Sequence, residues 1–280
     1  MIGVVVDSNS QLPPELVERF GIEVVPLTVT VDGVDHLEGV DFDADEFYAH
    51  WAGGHTPRIE TSQPAPGRFR DVYERLAAKG ATAILSIHIA ESMSGTLNSA
   101  RLAAEAVPVP VRLVDSGTAS FGIACCAWAA AEAIEWGADL DTAEAVATAR
   151  ADRLRTSFVV GVPQLIDRSG RADGVGVEAV AEAGVPVLAM SGGDLSVIAT
   201  ADDLEHAVDA MVADALAWPA SSSDGLRVAV GTSDATSAPM SAALTAALSA
   251  DDRVAELVQY RIGPSVGAHT GPGTAGLFVF

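Results

Sequence analysis

The sequence predicts an α/β fold with a parallel sheet and flanking helices in the N-terminal half and a mixed sheet with helices in the C-terminal half. Short apolar runs alternate with segments of helical periodicity through the first 160 residues, which is typical of buried parallel strands covered by helices. The second half places a hairpin signal, Ser191-Gly192-Gly193-Asp194, ahead of further strand and helix patterns. We therefore expect two α/β domains, residues 1–155 and residues 156–280.

The N-terminal half begins with an apolar run and then alternates between strand and helix patterns. Pro13 fits the start of a short helix, and Asp32-Gly33 indicates a hairpin at the end of a β-rich run. The predicted strands are residues 2–6, 24–31, 83–89 and 111–114. The predicted helices are residues 13–20, 44–51, 66–79, 95–106, 120–136 and 142–153, with a polar break after residue 51.

The C-terminal half opens with a strand-like run, after which Gly161-Val162-Pro163 leads into a short helix. The predicted strands are residues 157–160, 185–190, 195–201, 227–231 and 254–262. The predicted longer helices are residues 202–218 and 238–248. Residues 219–225 indicate a loop that is too short to link two domains.

The charge balance excludes two classes of partner. The chain has 16 Lys and Arg against 38 Asp and Glu, for a net charge of −22. A polyanionic protein is repelled by nucleic-acid phosphates and by anionic lipid surfaces, so we expect neither nucleic-acid binding nor stable membrane insertion. The same charge repels a free anionic ligand, so an anion site would need strong local hydrogen-bond donors.

The cysteines and the N-terminus indicate a cytoplasmic protein. Cys125 and Cys126 are adjacent in an Ala-rich helical stretch, where neighbouring side chains point about 100° apart and are poorly placed to bridge each other. We interpret them as small buried hydrophobic residues. The first residues predict a buried strand in place of a secretory signal, and the longest apolar run is too short to span a bilayer.

Four hydroxyl-rich turns follow predicted strands or precede predicted helices. They are residues 7–10, 61–64, 92–96 and 115–118. In a parallel α/β sheet the loops after the strands share one edge, where ligands bind. The alternative is helix capping, because Ser, Thr, Asp and Asn satisfy the unpaired amides of a helix start. At Ser94 the two interpretations coincide, since a helix N-terminus also favours an anion.

A second candidate site surrounds His269, which lies between glycines that would let the backbone approach a ligand closely. Gly271, Gly273 and Gly276 match the spacing of a dinucleotide-binding motif. We reject that interpretation because Pro272 lacks an amide donor and no helix is predicted after the motif. His269 therefore has either a structural or a ligand-binding role.

Two further patterns have weaker functional interpretations. Gly231-Thr232-Ser233-Asp234-Ala235 follows a strand and comes close to a nucleophile elbow, but its last position is alanine. We favour helix capping by Ser233 or Asp234. The acidic residues between 32 and 46 lack the full Asp-x-Asp-x-Asp-Gly pattern of a calcium loop, and the remaining histidines show no pairwise metal spacing. We expect no metal and no cofactor.

Taken together and in this order, the motifs resemble the DegV family over nearly the whole chain. The matching segments are Val4-Val5-Val6-Asp7-Ser8, Thr61-Ser62-Gln63-Pro64, Ser94-Gly95-Thr96 with Ser99-Ala100, Val114-Asp115-Ser116 with Ser120 and Gly122, and His269 with Gly271-Pro272-Gly273. Each segment alone is weakly specific, whereas five in register at family-like spacing are strongly specific.

The resemblance implies a fatty-acid-binding protein of two α/β domains with the acyl chain in a tunnel between them. It assigns the ligand carboxylate to Thr61, Ser62, Ser94 and His269, with Gly95 and Thr96 completing the Ser-Gly-Thr motif. Hydroxyl groups and a helix N-terminus suit this role, because a buried carboxylate needs several hydrogen bonds. The expected ligand is one fatty acid such as palmitate, stearate or oleate, held without catalysis.

Two segments depart from the family's pattern. Where the family usually has a Lys-Gly-Gly-Arg-Ile-like segment, residues 168–172 are Arg-Ser-Gly-Arg-Ala, and the resemblance implies that Arg171 keeps a supporting role near the head group. The basic stretch after the next hairpin is replaced by residues 195–200. Family members that hand their fatty acid to a dihydroxyacetone-kinase-like fatty-acid kinase use basic residues there, so we expect a different partner or a different docking mode.

Two alternatives to a fatty-acid carrier stay open. The first is a serine hydrolase acting on an acyl ester, with Ser94 or Ser233 as nucleophile and His269 as base; neither of these serines lies in a complete Gly-x-Ser-x-Gly, and no third partner is clear. The second is a binder of another small apolar acid.

Overall fold

The computed structural model describes residues 1–172, 174–219 and 225–280. The described part of the chain forms two compact units. The first contains Met1–Asp41 and Ile59–Asp152, and the second contains Phe42–Arg58 and Arg153–Phe280. The predicted loop at residues 219–225 lies almost wholly outside the described residues.

The strands alternate with helices along the chain, as the α/β prediction requires. The strands are β1 (Ile2–Asp7), β2 (Glu23–Val25), β3 (Thr28–Val31), β4 (Val34–Leu37), β5 (Ile59–Ser62), β6 (Ala83–His88), β7 (Val111–Asp115), β8 (Arg155–Val159), β9 (Val185–Ser191), β10 (Asp194–Ala201), β11 (Leu226–Thr232), β12 (Val254–Arg261) and β13 (Ala275–Val279). The α-helices are α1 (Pro14–Phe20), α2 (Ala44–Ala49), α3 (Pro66–Ala78), α4 (Thr96–Ala104), α5 (Phe121–Glu135), α6 (Leu140–Ala151), α7 (Pro163–Arg168), α8 (Val177–Ala181), α9 (Leu204–Ala217), α10 (Ala238–Ser249) and α11 (Pro264–Thr270).

The first unit is built on a parallel sheet with the strand order β2-β1-β6-β7. Every residue of β6 is buried, so helices cover the sheet on both faces. On one face Val5 and Ile84 pack against Phe69 and Tyr73 of α3. A separate three-stranded antiparallel sheet has the order β4-β3-β5 and ends in the Thr-Ser-Gln-Pro segment.

The second unit is built on a mixed sheet with the strand order β10-β9-β8-β13-β11-β12. Its β11 and β12 are parallel and its other neighbours are antiparallel. Helices α9 and α10 pack on this sheet through apolar residues such as Met211 and Leu244, which are fully buried. The predicted α/β class, with a parallel sheet followed by a mixed sheet, is confirmed.

Both predicted hairpins are confirmed. Strands β3 and β4 pair antiparallel with Val31 opposite Val34, and both turn residues, Asp32 and Gly33, have positive φ angles. Strands β9 and β10 pair with Ser191 opposite Asp194, and the turn between them is Gly192-Gly193, again with positive φ at both positions. Glycine fits these positions because it lacks a Cβ atom.

The continuous strand predicted for residues 24–31 is wrong. Pro26 divides the run, because proline has no amide donor for a sheet ladder. The two halves serve different sheets: β2 pairs with β1, and β3 pairs with β4 and β5. The polar break predicted after residue 51 also contains a strand, β5, which pairs with β3.

Residues 42–58 form an excursion of the chain, since they cluster with the second unit while the residues on either side belong to the first. The predicted division into residues 1–155 and 156–280 places residues 42–58 in the first domain. That division into domains stays a prediction. The excursion carries aromatic side chains, among them Phe47 and Tyr48, that are buried in the second unit.

The two cysteines are buried within α5 and form no disulfide. Burial raises the pKa of the Cys126 thiol to about 12, so the thiolate that redox chemistry or metal binding needs is strongly disfavoured. Their interpretation as small buried hydrophobic residues is confirmed.

In residues 1–172, 174–219 and 225–280, no helix combines the length and the apolar character needed to cross a bilayer. Across the same ranges, no group of three or more His, Cys, Asp or Glu side chains is arranged to hold a metal ion.

Candidate ligand-binding site

The Ser-Gly-Thr motif lies at the N-terminus of α4, as the sequence predicted. Gly95 is the N-cap, so the N-cap residue has no side chain to accept from the first amides of the helix. The Ser94 and Thr96 hydroxyl oxygens are 2.8 Å apart, and Ser94 Oγ also accepts from the Thr96 amide at 3.3 Å. The first helical hydrogen bond runs from the Ser99 amide to the Gly95 carbonyl, so earlier amides face the start of the helix. These donors and the helix dipole favour a negative charge.

The Thr-Ser-Gln-Pro segment adjoins this helix start through Gln63. A Cβ atom on Gly95 would lie 3.1 Å from Gln63 Nε2, so the amide group lies directly over the glycine. Sequence reasoning quoted Gln63 as part of the motif but did not name it as a site residue. Its amide adds a hydrogen-bond donor and acceptor beside the Ser94 hydroxyl.

Thr61 and Ser62 are the last two residues of β5, where they lie opposite Val29 and Thr28 of β3. Successive side chains of a strand point to opposite faces of the sheet, so the two hydroxyls diverge. Thr61 is half-buried, whereas Ser62 is exposed. This geometry favours Thr61 over Ser62 as the ligand of a buried group.

A buried polar network lies at the ends of strands β1 and β6 in the first unit. The Asp7 carboxylate is 3.0 Å from His88 Nδ1 and accepts from the Ile89 amide at 3.1 Å. His88 Nε2 is 2.7 Å from Ser86 Oγ, which is 2.8 Å from the Tyr73 hydroxyl. All four side chains are completely buried. The network fixes the ends of β1 and β6, from which the hydroxyl-rich loops depart.

Sequence reasoning missed this network. His88 was considered only as a metal ligand, and Ser86 lies within a strand whose residues are otherwise apolar. Polar residues at alternate positions of a buried strand could have predicted it. Ser86 and His88 are two residues apart, so both side chains point to the same face of β6. Asp7 also accepts from the Asn9 amide at 3.0 Å and so caps the short 3₁₀ turn Ser8–Ser10.

In the second unit, Arg171 and His269 form a hydrogen-bonded pair, with Arg171 Nη1 3.1 Å from His269 Nδ1. A guanidinium group only donates, so Nδ1 accepts and the neutral ring carries its proton on Nε2. Burial, reinforced by the charge of Arg171, lowers the pKa of His269 to about 3. Burial also lowers the pKa of Arg171 from its usual value. The pair thus provides a neutral imidazole N–H donor beside a cation.

His269 belongs to a helix, α11, which was not among the helices predicted from the sequence. The helix was missed because it is short and contains Gly267, which lowers helix propensity. It begins at Pro264 and ends at Thr270, and the positive φ of 76° at the next residue, Gly271, stops the helix.

The turn that follows α11 is held by side chains of the second unit. The Gly273 amide donates to Asp234 Oδ1 at 2.8 Å, and the Thr274 hydroxyl donates to the Gly271 carbonyl at 2.8 Å. The Gly161 amide donates to Thr274 Oγ1 at 3.1 Å. The turn is therefore anchored to the end of β8 and to the loop after β11.

The predicted capping of α10 by Ser233 or Asp234 is wrong. The N-cap of α10 is Ser237, and its side chain makes no capping hydrogen bond. Asp234 instead accepts hydrogen bonds from Gly273 and Thr236, so its carboxylate contacts the turn after α11 and is not the cap of α10. Ser233 is fully buried and its hydroxyl hydrogen-bonds with Asp234 and Ser237. These contacts do not direct the Ser233 proton toward a histidine, as a hydrolase would require.

The whole chain, residues 1–280, matches the model of the DegV family, which is described as a family of uncharacterised proteins. The chain belongs to the DegV family. A DegV domain-containing protein from Streptomyces coelicolor is 33% identical over 285 residues, which cover 99% of this chain and 98% of that protein. The resemblance inferred from the five motifs is therefore confirmed.

Solved structures of other DegV-family proteins share the fold. A member from Thermus thermophilus, described by its fatty-acid binding, superimposes with a TM-score of 0.89 at 31% identity, covering 100% of this chain and 99% of that one. DegV from Bacillus subtilis, described as a fatty-acid-binding protein, gives a TM-score of 0.86 at 26% identity, again covering 100% and 99%.

Proposed function

We propose that this DegV-family protein is a non-catalytic carrier that holds one long-chain fatty acid. The observation that carries the proposal is the full-length match to the Thermus thermophilus member, a relative described by its fatty-acid binding. The proposed ligands of the carboxylate are Thr61, Ser94 and His269, with Ser62 as the less favoured of the two adjacent hydroxyls, Gly95 and Thr96 at the start of α4, and Arg171 supporting His269. Palmitate, stearate and oleate are the expected acids.

The chemistry of the two described groups supports this assignment. Hydroxyls and amides at the start of α4 favour an anion without carrying a full charge. The second unit adds a neutral imidazole whose proton is on Nε2 and a buried guanidinium. Such donors offset the acidic net charge of −22, which repels free anions.

The acyl chain would supply most of the affinity. Burial of ~15 methylenes at about 0.8 kcal/mol each gives roughly 12 kcal/mol before association costs of several kcal/mol. Nanomolar to micromolar dissociation constants are therefore expected. The carboxylate contacts then fix the orientation of the ligand more than they add affinity.

The proposal includes a cytoplasmic location and a kinase partner. The two buried cysteines without a disulfide fit a reducing compartment. The partner would be a dihydroxyacetone-kinase-like fatty-acid kinase that receives the carboxylate. Residues 195–200 lie in β10 and contain no Lys or Arg, so such a kinase would contact another part of the surface.

Replacing Ser94 or His269 with alanine is expected to weaken oleate binding to delipidated protein by about 10- to 100-fold. Each change removes a hydrogen bond to a charged group, which contributes about 1.5–3 kcal/mol. Isothermal titration calorimetry gives the dissociation constants, and urea unfolding shows that both variants stay folded. The matched control is Ser249→Ala on the exposed end of α10, which should bind as the wild type does. Wild-type affinity in both site variants would show that the assigned carboxylate ligands are wrong.

A further inference from the structure

Residues 42–51, which include helix α2, carry a higher share of aromatic side chains than the rest of the chain. Aromatic residues make up 5% of the chain, yet four of residues 42–51 are Phe, Tyr or Trp. The Phe47 ring lies 5.0 Å from both the Tyr48 and Trp51 rings and 6.0 Å from the Phe42 ring. Phe47 and Tyr48 are buried. Edge-to-face pairs of this kind contribute about 0.5–1.5 kcal/mol each beyond the burial of their surface, which favours this arrangement of the rings.

This aromatic cluster packs directly against α11, the helix that carries His269. A Cβ atom on Gly267 would lie 2.5 Å from Tyr48 Oη and 2.7 Å from Phe47 Cε1. Ordinary contacts begin at 3.4 Å, so the helix backbone lies as close to the two rings as a glycine permits. Arg261 also contacts α2, since it donates to Asp45 and its guanidinium carbon lies 5.9 Å from the Tyr48 ring centroid.

A second close contact lies four residues later, at Gly271. A Cβ atom on Gly271 would overlap Val162 Cγ2 and lie 2.7 Å from Val162 Cβ. The Gly271 amide donates to the Gly267 carbonyl at 2.8 Å, so both glycines belong to the same helical turn. His269 lies between them. Its helix is therefore held against α2 at Gly267 and against the segment before α7 at Gly271, with no room for a methyl group at either contact.

We propose that Tyr48 and Gly267 are positioning residues that set the place of the His269 imidazole relative to Arg171. The hydrogen bond between these two side chains is 3.1 Å long and would be lost beyond 3.5 Å. Relieving a 2.5 Å contact to 3.4 Å requires a combined movement of about 0.9 Å by the Tyr48 ring and the helix, and a helix shift of half that amount already exceeds this margin of about 0.4 Å. The expected change in fatty-acid affinity rests on the proposed function, whereas the expected change in the position of the His269 imidazole does not.

The test uses Gly267→Ala in the full chain labelled with ¹⁵N-histidine. The ring nitrogens of His269, assigned by their loss in His269→Gln, should shift as Nδ1 loses its bond to Arg171, and oleate affinity should fall at least 10-fold. Adding Tyr48→Leu to Gly267→Ala shortens the side chain that clashes and should recover part of both effects. The control is Gly67→Ala in α3, where a Cβ atom meets nothing within 4 Å and neither readout should change.

Unchanged His269 signals in a folded Gly267→Ala protein would overturn the positioning role, and so would an affinity loss without a ring shift. If Gly267→Ala does not fold, Tyr48→Ala removes the contact from the other side and should shift or broaden the same ring signals; unchanged signals there would equally overturn it. Wild-type protein that takes up no oleate contradicts the proposed function alone, because the ring signals still report the position of His269.

Discussion

Replacing Gly161 with alanine is expected to destabilise the protein by about 3 kcal/mol or more, which places it among the most damaging substitutions in the chain. The new Cβ atom would overlap the Pro272 carbonyl oxygen and lie 2.6 Å from the carbonyl carbon. Both are backbone atoms, so no side-chain rotation relieves the contact. The two segments also cannot separate without losing the hydrogen bonds from Gly161 to Thr274 and from Val162 to the Thr270 carbonyl.

Urea unfolding followed by circular dichroism measures this loss as a lower midpoint. The matched control is Gly67→Ala, a glycine in a helix with open space around it, which should be neutral or slightly stabilising. A free energy of unfolding for Gly161→Ala within about 1 kcal/mol of the wild type would contradict the tight packing described for the turn after α11.

Replacing Asp7 with alanine is expected to cost about 3–5 kcal/mol of stability. The carboxylate accepts hydrogen bonds from the Ile89 and Asn9 amides and is 3.0 Å from His88 Nδ1, and the Asp7 and His88 side chains are completely buried. Removing the acceptor strands these donors away from water, and each stranded donor costs about 1–3 kcal/mol. His88 also loses the partner of its Nδ1 atom, and its Nε2 atom is hydrogen-bonded to Ser86, which is in turn hydrogen-bonded to Tyr73.

The comparison is Asp71→Ala, which removes an exposed carboxylate from α3 and should change stability by less than about 0.5 kcal/mol. Thermal and urea unfolding of the two variants give the difference directly. Equal, small losses in both would show that the Asp7 network adds little to the stability of the first unit.

Much of the fold was predictable because its signals are local. The buried strand at residues 2–6, the long Ala-rich helix α5 and the two hairpin turns follow from periodicity and turn chemistry alone. Three features depend on distant partners and were not predicted. Pro26 divides a strand between two sheets, α11 is short and contains Gly267, and residues 42–58 join a unit formed mostly by the C-terminal half.

The local geometry around the proposed site residues was predictable only in part. The Ser94 and Thr96 hydroxyls lie together at a helix start, as spacing alone indicates. The pair of Arg171 and His269 spans 98 residues of sequence, and no local pattern links them. The contacts of Gln63 with Gly95 and of Tyr48 with Gly267 are set by packing between distant segments, which a single sequence does not reveal.

The most direct test of the central claim is organic extraction of the purified protein followed by mass spectrometry. A carrier of the kind proposed retains its ligand through purification, because burial of an acyl chain of ~15 methylenes contributes roughly 12 kcal/mol before association costs. The expected result is about one fatty acid per chain, with a mass in the range of palmitate, stearate or oleate. Absence of any fatty acid, together with no uptake of added oleate or palmitate by the same protein, would contradict the account.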